Sequence, residues 1–139
     1  MEAAIKTMTR EACQHVIVGL GKTGLSVAGY LSRQGQGFAV VDSRQSPPGM
    51  EELNRGYPDT LTHFGNFDTD LIADAVQLSV SPGVPVHTPE IVRAGKCGAE
   101  IIGDVELFAR VVTKPVIAIT GSNGKSTVTA LVGEMARAA

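Results

Sequence analysis

The chain has 139 residues, 43% of them hydrophobic and 19% charged, with a net charge of −2, which suits one compact domain with a real core. A near-neutral balance without a basic cluster gives nucleic acids and membrane surfaces no electrostatic handle, and no apolar run is long enough to span a bilayer. Sixteen glycines against 4% aromatics fit the turns of an α/β fold better than an all-β core.

Residues 1–13 are polar and aperiodic and read as a loose lead-in; without an apolar stretch they do not make a signal peptide. Gln14–Gly19 is a short buried strand. It runs into Gly19-Leu20-Gly21-Lys22-Thr23-Gly24 and then into a helical pattern carried by Leu25, Ala28 and Leu31, closed by Gly35 and Gly37. Phe38–Asp42 is a second buried strand that ends in an acid. A G-x-G-x-x-G turn between strand and helix, with an acid at about the right distance on the next strand, is a Rossmann-like nucleotide fingerprint. It puts a pyrophosphate on the helix N-terminus and a ribose or base near Asp42, without saying which nucleotide.

Ser46–Gly49 is a turn, and a short helix follows over Met50–Arg55. Thr60–Gly65 is a short strand, Asp68–Ala75 a helical turn with Leu71 and Ile72 inward, and Val76–Val80 another strand. That strand ends in Ser81-Pro82-Gly83-Val84-Pro85, a rigid loop expected to face the same crevice as Gly21–Thr23. Thr88-Pro89-Glu90 opens a helix that stops near Gly95 or Gly98. Glu100–Gly103 is the last strand of the first domain. Asp104–Val112 reads as a helix capped by Asp104, with Val105, Phe108 and Val112 on one face. Pro115 marks the domain boundary, which gives a first domain over 14–114 and the start of a second over 115–139. The fold expected is α/β, a Rossmann-like parallel sheet of about five strands with helices on both faces.

Val116–Thr127, VIAITGSNGKST, begins as a β-branched apolar strand and changes abruptly into small residues, a lysine and two hydroxyls. Gly121, Ser122, Asn123 and Gly124 free backbone amides to turn around an anion. Lys125 adds charge, and Ser126 and Thr127 open a helix over Lys125–Ala139. In that reading Lys125 reaches the β- and γ-phosphates of ATP and Ser126 holds Mg²⁺. The glycine that a Walker A loop needs is replaced by Ile119, so this is a shorter form, Gly121-x-x-Gly124-Lys125-Ser126. An ordinary turn with a chance lysine leaves the ordered series of strand, glycines, lysine, hydroxyl and helix unexplained. Cys13 and Cys97 make no metal or redox motif, which suits reduced thiols in a cytoplasmic protein. His15, His63 and His87 are scattered and read as packing or surface groups. Asp104 and Glu106 read as helix-start acids rather than a catalytic pair.

The short loop TGSNGKST resembles that of the Mur ligase family, the amide-forming ligases of peptidoglycan precursor synthesis, and of folylpolyglutamate synthetases. The latter open almost directly with the ATP domain, whereas over a hundred residues precede the loop here. The ordered set Gly19–Ser26, Asp42-Ser43-Arg44, Ser81-Pro82-Gly83, Gly103–Phe108 and the loop is similar to the D-glutamate-adding members of the Mur family. The resemblance implies that Gly21, Lys22 and Thr23 hold a UDP pyrophosphate, that Asp42, Ser43 and Arg44 meet the uridine, and that Ser81, Pro82 and Gly83 line the other wall. Lys22 departs from the family pattern. The implied reaction uses ATP to phosphorylate the carboxylate of UDP-N-acetylmuramoyl-L-alanine. The amine of D-glutamate then attacks the acyl phosphate, with Lys125 as the catalytic group in this stretch.

On this reading the chain is an N-terminal fragment and inert by itself. The apolar stripe Val128, Leu131, Val132 and Met135 would lack its partner sheet, so self-association through 116–139 or a mobile tail is expected, with weak ATP binding. The competing reading is a small NAD(P)-binding module, with Asp42 on the adenosine ribose; it leaves the second phosphate loop without a use. A ligand-free scaffold leaves both loops without one.

Overall fold

The structure is a computed structural model that describes residues 14–139; the expected lead-in over 1–13, and Cys13, lie outside the described residues. The first half alternates regularly: β1 His15–Val18, α1 Lys22–Arg33, β2 Phe38–Asp42, α2 Met50–Gly56, β3 Leu61–Phe64 and α3 Asp70–Ala73. β4 Gln77–Val80, α4 Pro89–Lys96, β5 Glu100–Ile102, α5 Asp104–Val111 and α6 Lys125–Ala138 follow. All five strands pair in parallel in the order β3-β2-β1-β4-β5. Burial grades accordingly: β1 and β2 are buried throughout, while β3 and β5 at the edges are partly exposed.

The period-two alternation of the central strands sends side chains to two cores. Val16, Val18, Ala39, Val41, Leu78 and Val80 pack on Ile72 of α3 and on Ile91 and Ala94 of α4. On the other face, Ile17, Phe38 and Val40 meet Val27, Ala28 and Leu31 of α1, Leu53 of α2 and Leu107 of α5. α1 ends as its glycine signal requires: Gln34 closes it and Gly35 takes φ +67°. At the β5 edge, Arg110 of α5 donates to Glu100 at 2.5 Å and to Glu106 at 3.0 Å, tying the helix to the strand before it.

Three expectations need correction. α5 is preceded by Gly103 at the cap position; Asp104 is its first residue and makes no capping bond. The buried residue of α5 is Leu107, whereas Val105 and Phe108 are more than half exposed. Residues 115–120 form no strand, because none of the five strands pairs with them and an extended segment without a ladder partner is not part of a sheet. Val116 and Ile117 are exposed, and α6 has no buried residue.

Candidate functional site

The strand order reverses direction of winding between β1 and β4, and there the loops after β1, β2 and β4 converge. They enclose a cavity of about 470 Å³ at the C-terminal edge of the sheet. Its wall contains Gly21, Lys22 and Thr23 from the first loop, Asp42, Ser43 and Arg44 from the second, and Ser81, Pro82 and Gly83 from the third. Every residue that the resemblance implies for UDP therefore lines one concavity, whereas none of Gly121–Thr127 does.

Each loop is pinned by backbone geometry. Gly19 takes φ +97° and donates its N–H to the Val41 carbonyl at 2.8 Å. Ser81 Oγ donates to the Gly19 carbonyl at 3.0 Å, and the Ser81 N–H donates to that of Val18 at 2.9 Å. A side chain at Gly24 would lie 2.2 Å from the Gly19 carbonyl oxygen, so only glycine lets α1 start this close to β1. Gly21 differs: a Cβ there would meet nothing within 4 Å, and the space beside it belongs to the cavity. α1 begins without a side-chain cap and without an acid in its first turn, which leaves its positive end to the cavity.

Asp42 is the most heavily bonded side chain of the site. It is 2% exposed. Its Oδ2 accepts from the Leu20 N–H at 2.7 Å and from Arg44 Nη2 at 2.6 Å. Its Oδ1 accepts from the Arg44 N–H at 2.9 Å and from Arg44 Nε at 2.8 Å. Burial pushes the carboxyl pKa up, but the Arg44 side chain and the Leu20 and Arg44 amides outweigh it and hold the group below the ordinary carboxylate range. The carboxylate is thus ionised and fully enclosed, and Arg44, half exposed, carries the positive charge out to the cavity.

The glycine turn Gly121–Gly124 and the residues after it do not belong to this cavity's lining. Gly121 takes φ +149° and Gly124 φ +74°, conformations that a side chain would strain. Gly124 precedes the 14-residue α6, which has neither a capping side chain nor an acid in its first turn. Lys125 Nζ donates to the Gly121 carbonyl across the loop. Glycine turn, lysine and helix start are all formed, while the strand expected before them is not. Among the described residues no group of three or more His, Cys, Asp or Glu is placed to hold a metal. A further cavity of about 450 Å³ opens at the opposite edge of the sheet beside Gln14, Gln36, Gln77 and Glu100. Three of its polar side chains are engaged: Glu100 accepts from Gln77 and from Arg110 of α5, and His15 shares a 2.8 Å hydrogen bond with Ser79.

The family model described as "Mur ligase MurD-like, N-terminal domain" matches residues 13–103, which carry the whole sheet and the cavity. The chain belongs to the MurD-like Mur ligase family. A UDP-N-acetylmuramoylalanine–D-glutamate ligase of Marinobacter nauticus is 57% identical over 124 residues, covering 89% of this chain and 28% of that protein. A ligase of the same name from Nitrosococcus oceani is 55% identical over 128 residues, 92% of this chain and 28% of that one. The chain thus spans about 28% of the length of these relatives. Among solved structures, a pseudomurein peptide ligase type C from Methanothermus fervidus superposes with a TM-score of 0.57 at 26% identity, over 82% of this chain and 24% of that one.

Seen as a MurD-like domain, the molecule also holds site residues that the sequence did not single out. Leu20 is fully buried, with its N–H on Asp42 and its carbonyl accepting from Gly49 N–H at 3.1 Å. The glycine loop is therefore clamped from the β2 side as well as from Ser81. Val84, part of the loop that the sequence expected to face this crevice, adds an apolar patch to the cavity wall. The only sequence signal for this clamp was the turn Ser46–Gly49, whose glycine leaves room for Leu20 and Leu25. No helix among the described residues is long and apolar enough to cross a membrane.

Proposed function

We propose that this chain binds the UDP portion of UDP-N-acetylmuramoyl-L-alanine and carries the ATP phosphate loop of a D-glutamate-adding ligase. The observation that carries the reading is the convergence of Gly21–Thr23, Asp42–Arg44 and Ser81–Gly83 on one cavity at the uncapped start of α1. A nucleoside diphosphate suits that cavity. The first-turn amides of α1 and the Lys22 and Arg44 side chains favour the diphosphate anion. The two MurD-like relatives, whose names specify this ligation, agree with it. In the division proposed, residues 14–114 form the UDP-binding unit and 115–139 begin the ATP-binding unit. Residues 1–13 precede both.

The residues of the second loop suit a nucleotide triphosphate with Mg²⁺. Gly121, Ser122, Asn123 and Gly124 form a turn with left-handed glycines, and Lys125, Ser126 and Thr127 open an uncapped helix. Lys125 would leave the Gly121 carbonyl for the β- and γ-phosphate oxygens, Ser126 Oγ would hold Mg²⁺, and the Thr127 hydroxyl would face the same phosphates. ATP supplies the phosphoryl group that activates the substrate carboxylate. The contribution of this chain is to hold and neutralise the phosphate oxygens and to fix the far, nucleotide end of the acceptor substrate. A cytoplasmic setting follows from these substrates.

Thermal unfolding of the chain with UDP, UDP-N-acetylmuramoyl-L-alanine, NADPH and ATP–Mg²⁺ tests the proposal. UDP at a hundred times its dissociation constant should add about 2.7 kcal/mol of stability and raise the melting temperature. A rise with NADPH and none with either uridine nucleotide would replace this reading with the dinucleotide one.

A further inference from the structure

An ionised carboxylate offers about four lone-pair positions, two on each oxygen. Asp42 uses two on Oδ1 and two on Oδ2, all for donors of this chain, at 2.6–2.9 Å. It is also closed off from solvent. A nucleotide N–H or hydroxyl reaching Asp42 would have to displace one of these bonds and follow it into a buried position. Arg44 presents the opposite case. Its guanidinium is fixed on one edge by two bonds to Asp42, yet the side chain is half exposed and lines the cavity. Its remaining N–H donors, with the hydroxyl of the exposed Ser43 beside it, are the polar groups at this end of the site with hydrogen-bonding capacity to spare.

We infer that Asp42 is a positioning residue: it locks the Arg44 guanidinium and the Leu20 amide in place, and Arg44 together with Ser43 meets the nucleotide. The inference rests on the UDP reading above and changes the division of labour within it. A flexible arginine at a cavity mouth would lose side-chain freedom on each binding event; one already held by a buried carboxylate does not. The same carboxylate ties the glycine loop to the end of β2, so the diphosphate end and the nucleoside end of the cavity are set by one group.

The test is NMR and calorimetry on the full chain. In the free protein the Arg44 Nε–H should exchange slowly, and Asp42→Asn should abolish that protection while leaving an oxygen for the Leu20 N–H. On adding UDP to the unsubstituted chain, Arg44 Nε–H should shift and the Asp42 carboxylate carbon should not. For affinity, D42N and Arg44→Ala should each weaken UDP binding about tenfold, and the double variant also about tenfold, since the two act as one unit. A hundredfold loss in the double variant, an unchanged affinity in D42N, or a ligand-induced shift at the Asp42 carboxylate would each overturn the inference. If the unsubstituted chain does not bind UDP, the UDP reading fails; the clamp is then decided by Arg44 Nε–H exchange alone, fast exchange in the free chain overturning it. The carboxylate measurement needs no variant, so misfolding of D42N leaves the question decidable.

Discussion

Gly21 and Gly24 belong to one motif but are required for different reasons. A methyl at Gly24 would press on the Gly19 backbone oxygen at 2.2 Å. The gain in helix propensity from Gly to Ala, about 1 kcal/mol, is smaller than the ~1–3 kcal/mol or more that such overpacking costs. Gly24→Ala should therefore lower the midpoint of urea unfolding. Gly21 has φ −110° and open space around it, so Gly21→Ala should change stability by about 1 kcal/mol or less. It should nevertheless weaken UDP binding, because the methyl occupies the cavity. Equal stability losses in the two variants would contradict this assignment. His15 gives a pH prediction of its own. Burial lowers its pKa from 6.5 to about 4, against a smaller raising effect of Glu100. The unfolded chain then takes up a proton before the folded one, so stability is complete above pH 6.5 and declines as pH falls towards 4. Asp42, whose folded pKa is also depressed, adds a loss of the same sign at lower pH. Urea unfolding at pH 7.5, 5.5 and 4.5 should show the decline, and His15→Gln should flatten it; an undiminished slope in that variant would acquit His15.

The elements were legible where local pattern and burial agree. β1, β2 and β4 are apolar runs closed by glycine, acid or Ser-Pro, and their bounds fall within a residue or two of expectation. α4 starts at its proline as expected, although Thr88 Oγ1 bonds to the Pro85 carbonyl instead of capping the helix. α5 carries a broad apolar arc, with Leu107 and Val111 on one flank and Phe108 and Val105 on the other, and periodicity alone does not say which flank is buried. Packing on α1 and the sheet chooses Leu107, and that choice is tertiary. Leu107→Ala should accordingly cost about 2 kcal/mol or more. Val105→Ala, at a position 73% exposed, should stay within about 0.5 kcal/mol. A reversed ranking in denaturant melts would restore the face that periodicity suggested. The candidate site divides in the same way. Its three loops could be placed at one edge because parallel strands put their C-terminal ends together. The saturation of Asp42 could not be foreseen, since it depends on Arg44 folding back onto a residue two positions earlier.

At the scale of the molecule, the sheet and both cores draw on residues up to Leu107, and nothing after it contributes a buried side chain. The Gly121–Gly124 turn and α6 are thus formed locally, by glycine geometry and intrahelical bonds, and depend little on the domain before them. Val128, Leu131 and Met135 nevertheless lie along one side of α6, each roughly half exposed or more, and Val116 and Ile117 are exposed as well. Apolar surface of this kind gains about 25 cal/mol for each Å² removed from water, which favours association with a second copy over persistence in solvent. Two consequences separate cleanly. A chain ending at Thr113 should melt at nearly the temperature of the full chain, because truncation removes no core residue. Light scattering should show association in the full chain at high concentration and a monomer in the shorter one. Hydrogen exchange supplies the third reading: amides of residues 116–120, outside any ladder, should exchange far faster than those of β1 and β2. A truncated chain that melts well below the full one, with residues 116–120 protected in the latter, would mean that the segment packs on the domain and is part of its stability.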